Sequence, residues 1–161
     1  MDPLQLRSAL GHYATGVAIV ACAGSDGTMR GVTVNSFSAV SLDPALVLFS
    51  LQKSSPNLEF FKQATCFSIN VLSCEQAELS HRFATPGAER WAQTDWSFGR
   101  NGAPLIDGTL AQFECALHET HEGGDHVIFV LSVHDVREAI DGEHPLLFWR
   151  GDYRRLSPEA A

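Results

Sequence analysis

The chain is short of positive charge. Eleven Lys and Arg stand against nineteen Asp and Glu, a formal net charge of −8 over 161 residues. Such a chain repels a nucleic-acid backbone, so no nucleic-acid partner is expected. A phosphorylated ligand would have to be met locally, by backbone N–H groups and one or two of those cations. Long apolar runs are missing as well. None reaches the roughly 18 residues that a membrane span requires, and no membrane partner is expected. Met1-Asp2-Pro3 lacks the basic and apolar segments of a signal peptide, so a cytoplasmic location is the default. Cys22, Cys66, Cys74 and Cys115 form no CxxC pair. Cys22, Cys66 and Cys115 sit in apolar runs, where free buried thiols are expected rather than disulfides. Also absent are the G-x-S-x-G nucleophile elbow, the H-E-x-x-H zinc motif and the G-x-G-x-x-G dinucleotide loop. His118 and His121 lie on a strand end, where this spacing turns them to opposite faces; no metal site is expected.

What is present reads as one domain over residues 1–161, large enough for its own core. Leu4 to Tyr13 has helical apolar spacing. Val17 to Ala23 is apolar on both faces, as in a strand buried on both sides. Gly24-Ser25-Asp26-Gly27 is a hairpin turn, and Met29 to Ser38 returns as a strand. Ala45 to Leu51 is a further strand. Ser55-Pro56 predicts a helix from Pro56 to about Ala64. Cys66 to Leu72 is a strand, and Ser73 with Gln76 forms a capping box for a helix from Cys74 to about Phe83. Thr85 to Asp107 reads as a long surface excursion pinned by Trp91 and Trp96. Strands at Thr109–Glu119 and His126–Val136, joined by a loop at 121–125, precede a short one at Pro145–Trp149. The strands mostly follow one another without crossover helices. That predicts a mainly β fold with a few short helices, arranged as an antiparallel barrel.

Polar residues concentrate between Gly31 and Asn57. Thr33, Asn35, Ser36 and Ser38 end one strand, and Ser50, Gln52, Lys53, Ser54 and Ser55 end the next. The predicted helix start at Ser54-Ser55-Pro56 would offer free N–H groups and a positive dipole end to a phosphate, with Lys53 beside it. Read from the residues alone, this is either a cradle for a nucleotide-like ligand or a set of caps and edge residues facing water. His126, after Gly-Gly-Asp, reads on the same terms as a solvent-facing turn histidine.

The run Val32-Thr33-Val34-Asn35-Ser36-Phe37-Ser38-Ala39-Val40-Ser41-Leu42-Asp43-Pro44 is followed by Leu46-Val47-Leu48-Phe49-Ser50. Then come, in order, Phe67-Ser68-Ile69-Asn70-Val71-Leu72, Phe83-Ala84, Gly124-Asp125-His126 and Pro145 to Tyr153 (PLLFWRGDY). This ordered set resembles the short-chain flavin reductases, the reductase components of two-component flavin-dependent monooxygenases. The resemblance implies an FMN-binding split β-barrel of Greek-key, antiparallel type, and a homodimer with flavin near the subunit interface. It implies hydride transfer from NADH or NADPH to FMN or FAD, and a partner monooxygenase that receives the reduced flavin. Carried over, Thr33, Val34, Asn35 and Ser36 would line the isoalloxazine ring. Ser50, Leu51, Gln52 and Lys53 would meet the ring edge and ribityl chain, and Ser54, Ser55 and Asn57 the phosphate. Phe83 and Ala84 would approach the flavin. His126 would act on the nicotinamide side, where Arg150 and Tyr153 are further candidates. The absence of a Rossmann loop agrees with a nicotinamide that stacks on the flavin. Two alternatives stay open: a pyridoxamine phosphate oxidase-like split-barrel enzyme, for which the chain is short of basic residues, and a non-catalytic flavin-binding protein.

Overall fold

The computed structural model describes residues 1–87, 89–139 and 144–156. Its centre is a seven-stranded antiparallel sheet. In chain order the strands are β2 (Ala18–Ala23), β3 (Met29–Val34), β4 (Ser38–Leu42), β5 (Ala45–Gln52), β6 (Cys66–Val71), β9 (Ala111–Gly123) and β10 (His126–Glu138). They lie side by side in the order β3-β2-β6-β9-β10-β5-β4. A second sheet of three short strands joins β1 (Thr15–Gly16) to β11 (Leu147–Trp149) and β12 (Asp152–Arg154). The hairpin of β7 (Trp96–Phe98) and β8 (Pro104–Ile106) stands apart. Three short helices complete the fold: α1 (Pro3–Leu10), α2 (Leu58–Gln63) and α3 (Ala77–Ala84). Among the described residues no helix is long and apolar enough to cross a membrane.

The doubly apolar run at the start of the chain forms β2, buried at every position but its last. It needs burial on both sides because two cores flank it. One holds Val20, Cys22, Phe49, Phe61, Phe67 and Phe129, with the Phe49 and Phe129 rings stacked at 4.8 Å. The other holds Val17, Ile19, Leu72, Phe83 and Ile106. Cys22, Cys74 and Cys115 are buried free thiols and Cys66 is half-buried. Burial pushes the Cys22 and Cys115 thiols up to about 12, which keeps them neutral small hydrophobes.

Several boundaries differ from the sequence reading. The strand expected over 29–38 stops at Val34, and β4 begins separately at Ser38, because Ser36 leaves the ladder to bond β5. The Ser36 hydroxyl accepts the Ser50 N–H at 2.9 Å and donates to the Ser50 carbonyl at 3.3 Å. The helix expected from Pro56 begins at Leu58. Ser55 forms a turn there instead, its hydroxyl accepting the Asn57 N–H at 3.3 Å and its carbonyl the Leu58 N–H at 3.1 Å. The Thr85–Asp107 excursion contains the β7–β8 hairpin, with Ala103, Leu105 and Ile106 fully buried. The loop expected at 121–125 is mostly strand, and only Gly124 and Asp125 turn, with Gly124 at a φ of 70°. The helix expected to Tyr13 ends at Leu10 and buries no residue.

A buried polar network ties the excursion to the main sheet. The Asn70 amide donates to the Ile19 carbonyl at 3.2 Å and to Ser68 Oγ at 3.0 Å, and its oxygen accepts the Ile106 N–H at 2.9 Å. Glu114, also buried, accepts from the Asn101 N–H at 2.9 Å and from Arg137 at 3.1 Å. Removing one partner from such a network leaves the others desolvated and unpaired, at about 1–3 kcal/mol each. Asn70→Ala is therefore expected to lower unfolding free energy by roughly 2–4 kcal/mol. A denaturant midpoint within error of the parent would show that this network does not hold the hairpin.

Candidate functional site

The seven-stranded sheet curls until β3, at one end of the ladder, approaches β5 near the other. The paired bonds between Ser36 and Ser50 join them. α3 is laid across β3, where the Thr33 hydroxyl donates to the Ser80 carbonyl at 2.7 Å. Together these elements enclose a cavity of about 380 Å³. Its walls are Val32 to Ser36, Ser50 to Gln52, the turn from Ser54 to Asn57, Phe83 and Ala84 at the end of α3, Arg90, and His126 at the start of β10. Phe83 is fully buried and supports one wall, with Trp91 edge-on to it at 5.0 Å. Gly31 makes this packing possible, since a Cβ there would lie 2.5 Å from the Phe83 ring.

Of the residues singled out in the sequence, Thr33, Val34, Asn35, Ser36, Ser50, Leu51, Gln52, Ser54, Ser55, Asn57, Phe83, Ala84 and His126 line this one cavity. Lys53, Arg150 and Tyr153 do not. The Lys53 ammonium sits 2.5 Å from Glu122 on β9, and it holds the Glu122 carboxyl below its usual range. Arg150 lies in the β11–β12 turn, 3.2 Å from His12 Nε2 and over the Trp149 ring at 5.0 Å. The Tyr153 hydroxyl is 2.6 Å from Ser80 Oγ, outside the cavity lining. The expected dipole end of a longer helix is not formed either, because α2 has only six residues.

Val32, Pro56 and Arg90 line the cavity without having been singled out. Arg90 matters most. Its guanidinium donates to the Gly31 carbonyl at 3.2 Å and to the Thr85 carbonyl at 3.0 Å, while its buried Nε has no partner. Burial, and after it the nearby Arg30 charge, lowers its pKa from the usual value. In a chain with few cations, a signal was available: an Arg beside Trp91, in the segment after a helix that ends at Phe83-Ala84.

His126 pairs with Gln52 and Gly123 across β10. Its Nδ1 is 2.7 Å from Asp125 Oδ1. That hydrogen bond holds the Asp125 carboxyl below its usual range. A neutral ring with its proton on Nδ1 presents Nε2 as an acceptor, and a charged ring presents it as a donor. No group of three or more His, Cys, Asp or Glu suited to a metal occurs among the described residues.

An antiparallel β protein with a hydroxyl-lined cavity, a buried aromatic wall and one arginine in the lining is suited to a phosphorylated ligand that carries a flat ring. A flavin fits these residues: the serines and backbone of two strand ends suit its polar edge, and Arg90 its phosphate. The chain belongs to the flavin reductase-like domain family, which it matches over residues 10–157. It is 45% identical to the FMN reductase (NADH) SmoA of Agrobacterium fabrum, over 94% of this chain and 84% of that protein. It is 42% identical to the reductase component of the flavin-dependent trigonelline monooxygenase of Acinetobacter baylyi, over 92% of this chain. The chain spans less than half the length of some curated relatives, 47% in the Acinetobacter case. Among solved structures, the NADH:FAD oxidoreductase of Streptomyces globisporus in complex with NAD and FAD fragments superposes with a TM-score of 0.93 at 37% identity. That superposition covers 99% of this chain and 96% of the other.

Gly31→Ala tests the wall directly. It is expected to displace Phe83 and Trp91, shift tryptophan emission and lower the melting temperature by several degrees, from about 1–3 kcal/mol of overpacking. Emission and melting identical to the parent would show that the wall is not held by close approach at Gly31.

Proposed function

We propose that the chain is an NAD(P)H:flavin oxidoreductase that reduces FMN or FAD and passes the reduced flavin to a partner monooxygenase. The observation that carries this reading is the single cavity into which thirteen of the sixteen residues singled out as a flavin site converge. Family membership and the names of the relatives support it. The seven-stranded sheet, curled and bridged at Ser36, is read as the split β-barrel of Greek-key type.

A bound flavin would supply the acceptor for hydride from the nicotinamide, and the cofactors would carry that chemistry. The chain supplies position and electrostatics. Backbone groups of Thr33 to Ser36 would meet the ring, and Ser50 to Gln52 its edge and the ribityl chain. Ser54, Ser55 and Asn57 would take the phosphate together with Arg90, which lines the cavity in place of Lys53. Phe83 and Ala84 keep one side dry. His126, oriented through Nδ1 by Asp125, lines the cavity, where it could hydrogen-bond the nicotinamide carboxamide or steady charge on the reduced ring. Arg150 and Tyr153 remain outside this assignment.

The test is NADH oxidation at 340 nm, with and without added FMN or FAD. Rapid oxidation that depends on flavin is expected. His126→Ala should slow hydride transfer about tenfold or more while flavin affinity changes little. No oxidation by folded protein with either nicotinamide and either flavin would defeat the reading.

We also propose a homodimer. Leu4, Leu10 and Tyr13 on and after α1 are 65–78% exposed, and Leu42 on the edge strand β4 is 95% exposed. Apolar side chains this exposed suit an interface, and so does an unpaired strand edge. Sedimentation should give twice the 17.5 kDa chain mass. A monomer at micromolar concentration would refute it.

A further inference from the structure

From Ser50 to Asn57 every residue lines the cavity except Lys53. Lys53 stands between Gln52 and Ser54, both in the lining, yet its side chain runs to β9 instead. Its ammonium meets the Glu122 carboxylate at 2.5 Å. β10 lies between β5 and β9, so the pair spans the start of β10, where Val127 is matched to Leu51 on one side and to Glu122 on the other. The Lys53 backbone is fixed independently of this pair. Its N–H donates to the Asp125 carbonyl at 2.9 Å, and the Ser55 N–H donates to the Gln52 carbonyl at 3.0 Å. The ammonium can therefore change partner while the turn that carries Ser54 and Ser55 stays in place.

The pair is not a stability device. The Lys53 and Glu122 side chains are 43% and 72% exposed, and ion pairs this exposed contribute little to folding. What the pair does is occupy the one lysine next to Ser54 and Ser55. The other charges near it leave that arrangement in place. Asp125 is engaged by His126 at 2.7 Å, and Lys62 adds its positive charge on the Glu122 side. A lysine carries a compact charge on a flexible stem and binds phosphate readily. Glu122 and a phosphate at Ser54 and Ser55 thus compete for the same ammonium.

Resting on the flavin reading of the cavity, we propose that Glu122 sets the affinity for phosphorylated flavins by withholding Lys53 from the flavin phosphate. Glu122 touches no ligand in this arrangement; it determines specificity through Lys53. FMN and FAD carry the phosphate and feel the competition, whereas riboflavin does not. A reductase that passes reduced flavin to another protein must release it. An added charge-assisted contact to the phosphate would slow that release, because affinity differences within one site fall mainly on dissociation. Glu122 favours hand-over of the flavin over its retention.

The test uses the full chain. Dissociation constants and dissociation rates of riboflavin and FMN are measured by flavin fluorescence for the parent, Glu122→Gln, Lys53→Met and the double variant. Glu122→Gln should tighten FMN about two- to fivefold, the range that an exposed ion pair can withhold, and slow its dissociation by a similar factor. Riboflavin should be unchanged. Lys53→Met should alter FMN affinity by less than about twofold, and the double variant should match it. Unchanged FMN affinity in Glu122→Gln would overturn the proposal, since the freed lysine would then have gone elsewhere. So would equal tightening in the double variant, which would assign the gain to the lost Glu122 charge alone. Marked weakening of FMN by Lys53→Met would show Lys53 already on the phosphate in the parent, and would overturn it too. In each of these outcomes the parent still binds riboflavin and FMN, and the flavin reading stands; a parent that binds neither would remove both.

Discussion

The cavity depends on one junction, the hydroxyl of Ser36 bonded both ways to the backbone of Ser50. β3 and β5 are not ladder neighbours: β2, β6, β9 and β10 lie between them. Twist between adjacent strands accumulates across such a sheet and swings its ends toward each other. Twist alone does not hold two ends at a fixed distance. A small side chain that both donates and accepts can, provided its strand stops pairing at that point, and β3 does stop at Val34. The backbone of Thr33 to Ser36 on one side and Ser50 to Gln52 on the other are thereby placed in the walls of one cavity.

A second constraint is electrostatic. With a net charge of −8, the chain can attract an anionic cofactor only where local cations are left uncommitted. Most of its ion pairs sit at exposed positions and add little to stability. Their consequence is a map of which cations are already matched. Lys53, the nearest in sequence to Ser54 and Ser55, is matched by Glu122, while Arg90 is held by carbonyls that leave its charge unneutralised. The one Lys or Arg in the cavity lining thus comes from a segment that adds no strand to the main sheet.

Much of this was legible beforehand, for identifiable reasons. β2 is a continuous apolar run, and such a run between turn signals has few other uses. The Ser73–Gln76 capping signal is local chemistry, and the Ser73 N–H does donate to Gln76 Oε1 at 3.1 Å. The serines and Asn from Thr33 to Asn57 stood out because a strand packing only a core has no use for so many hydroxyls. Failures came where a specific hydrogen bond or ion pair, near or distant, overrode the simplest local preference. Ser36 ended a strand that propensity would have continued, the Ser55 turn delayed a helix that Ser-Pro would have started, and Glu122 captured the lysine that proximity had assigned to phosphate.

By itself the sequence determined the class of fold, an antiparallel β protein with short helices, and the two strand ends from which the cavity is built. Those are properties of residue period and local composition, which act over a few neighbours. Tertiary structure alone decided that Arg90 closes the site and that Lys53, Arg150 and Tyr153 stand outside it. Each of those outcomes depends on residues far apart in the chain meeting across a curled sheet, and hydrophobic period carries no record of which charges meet there.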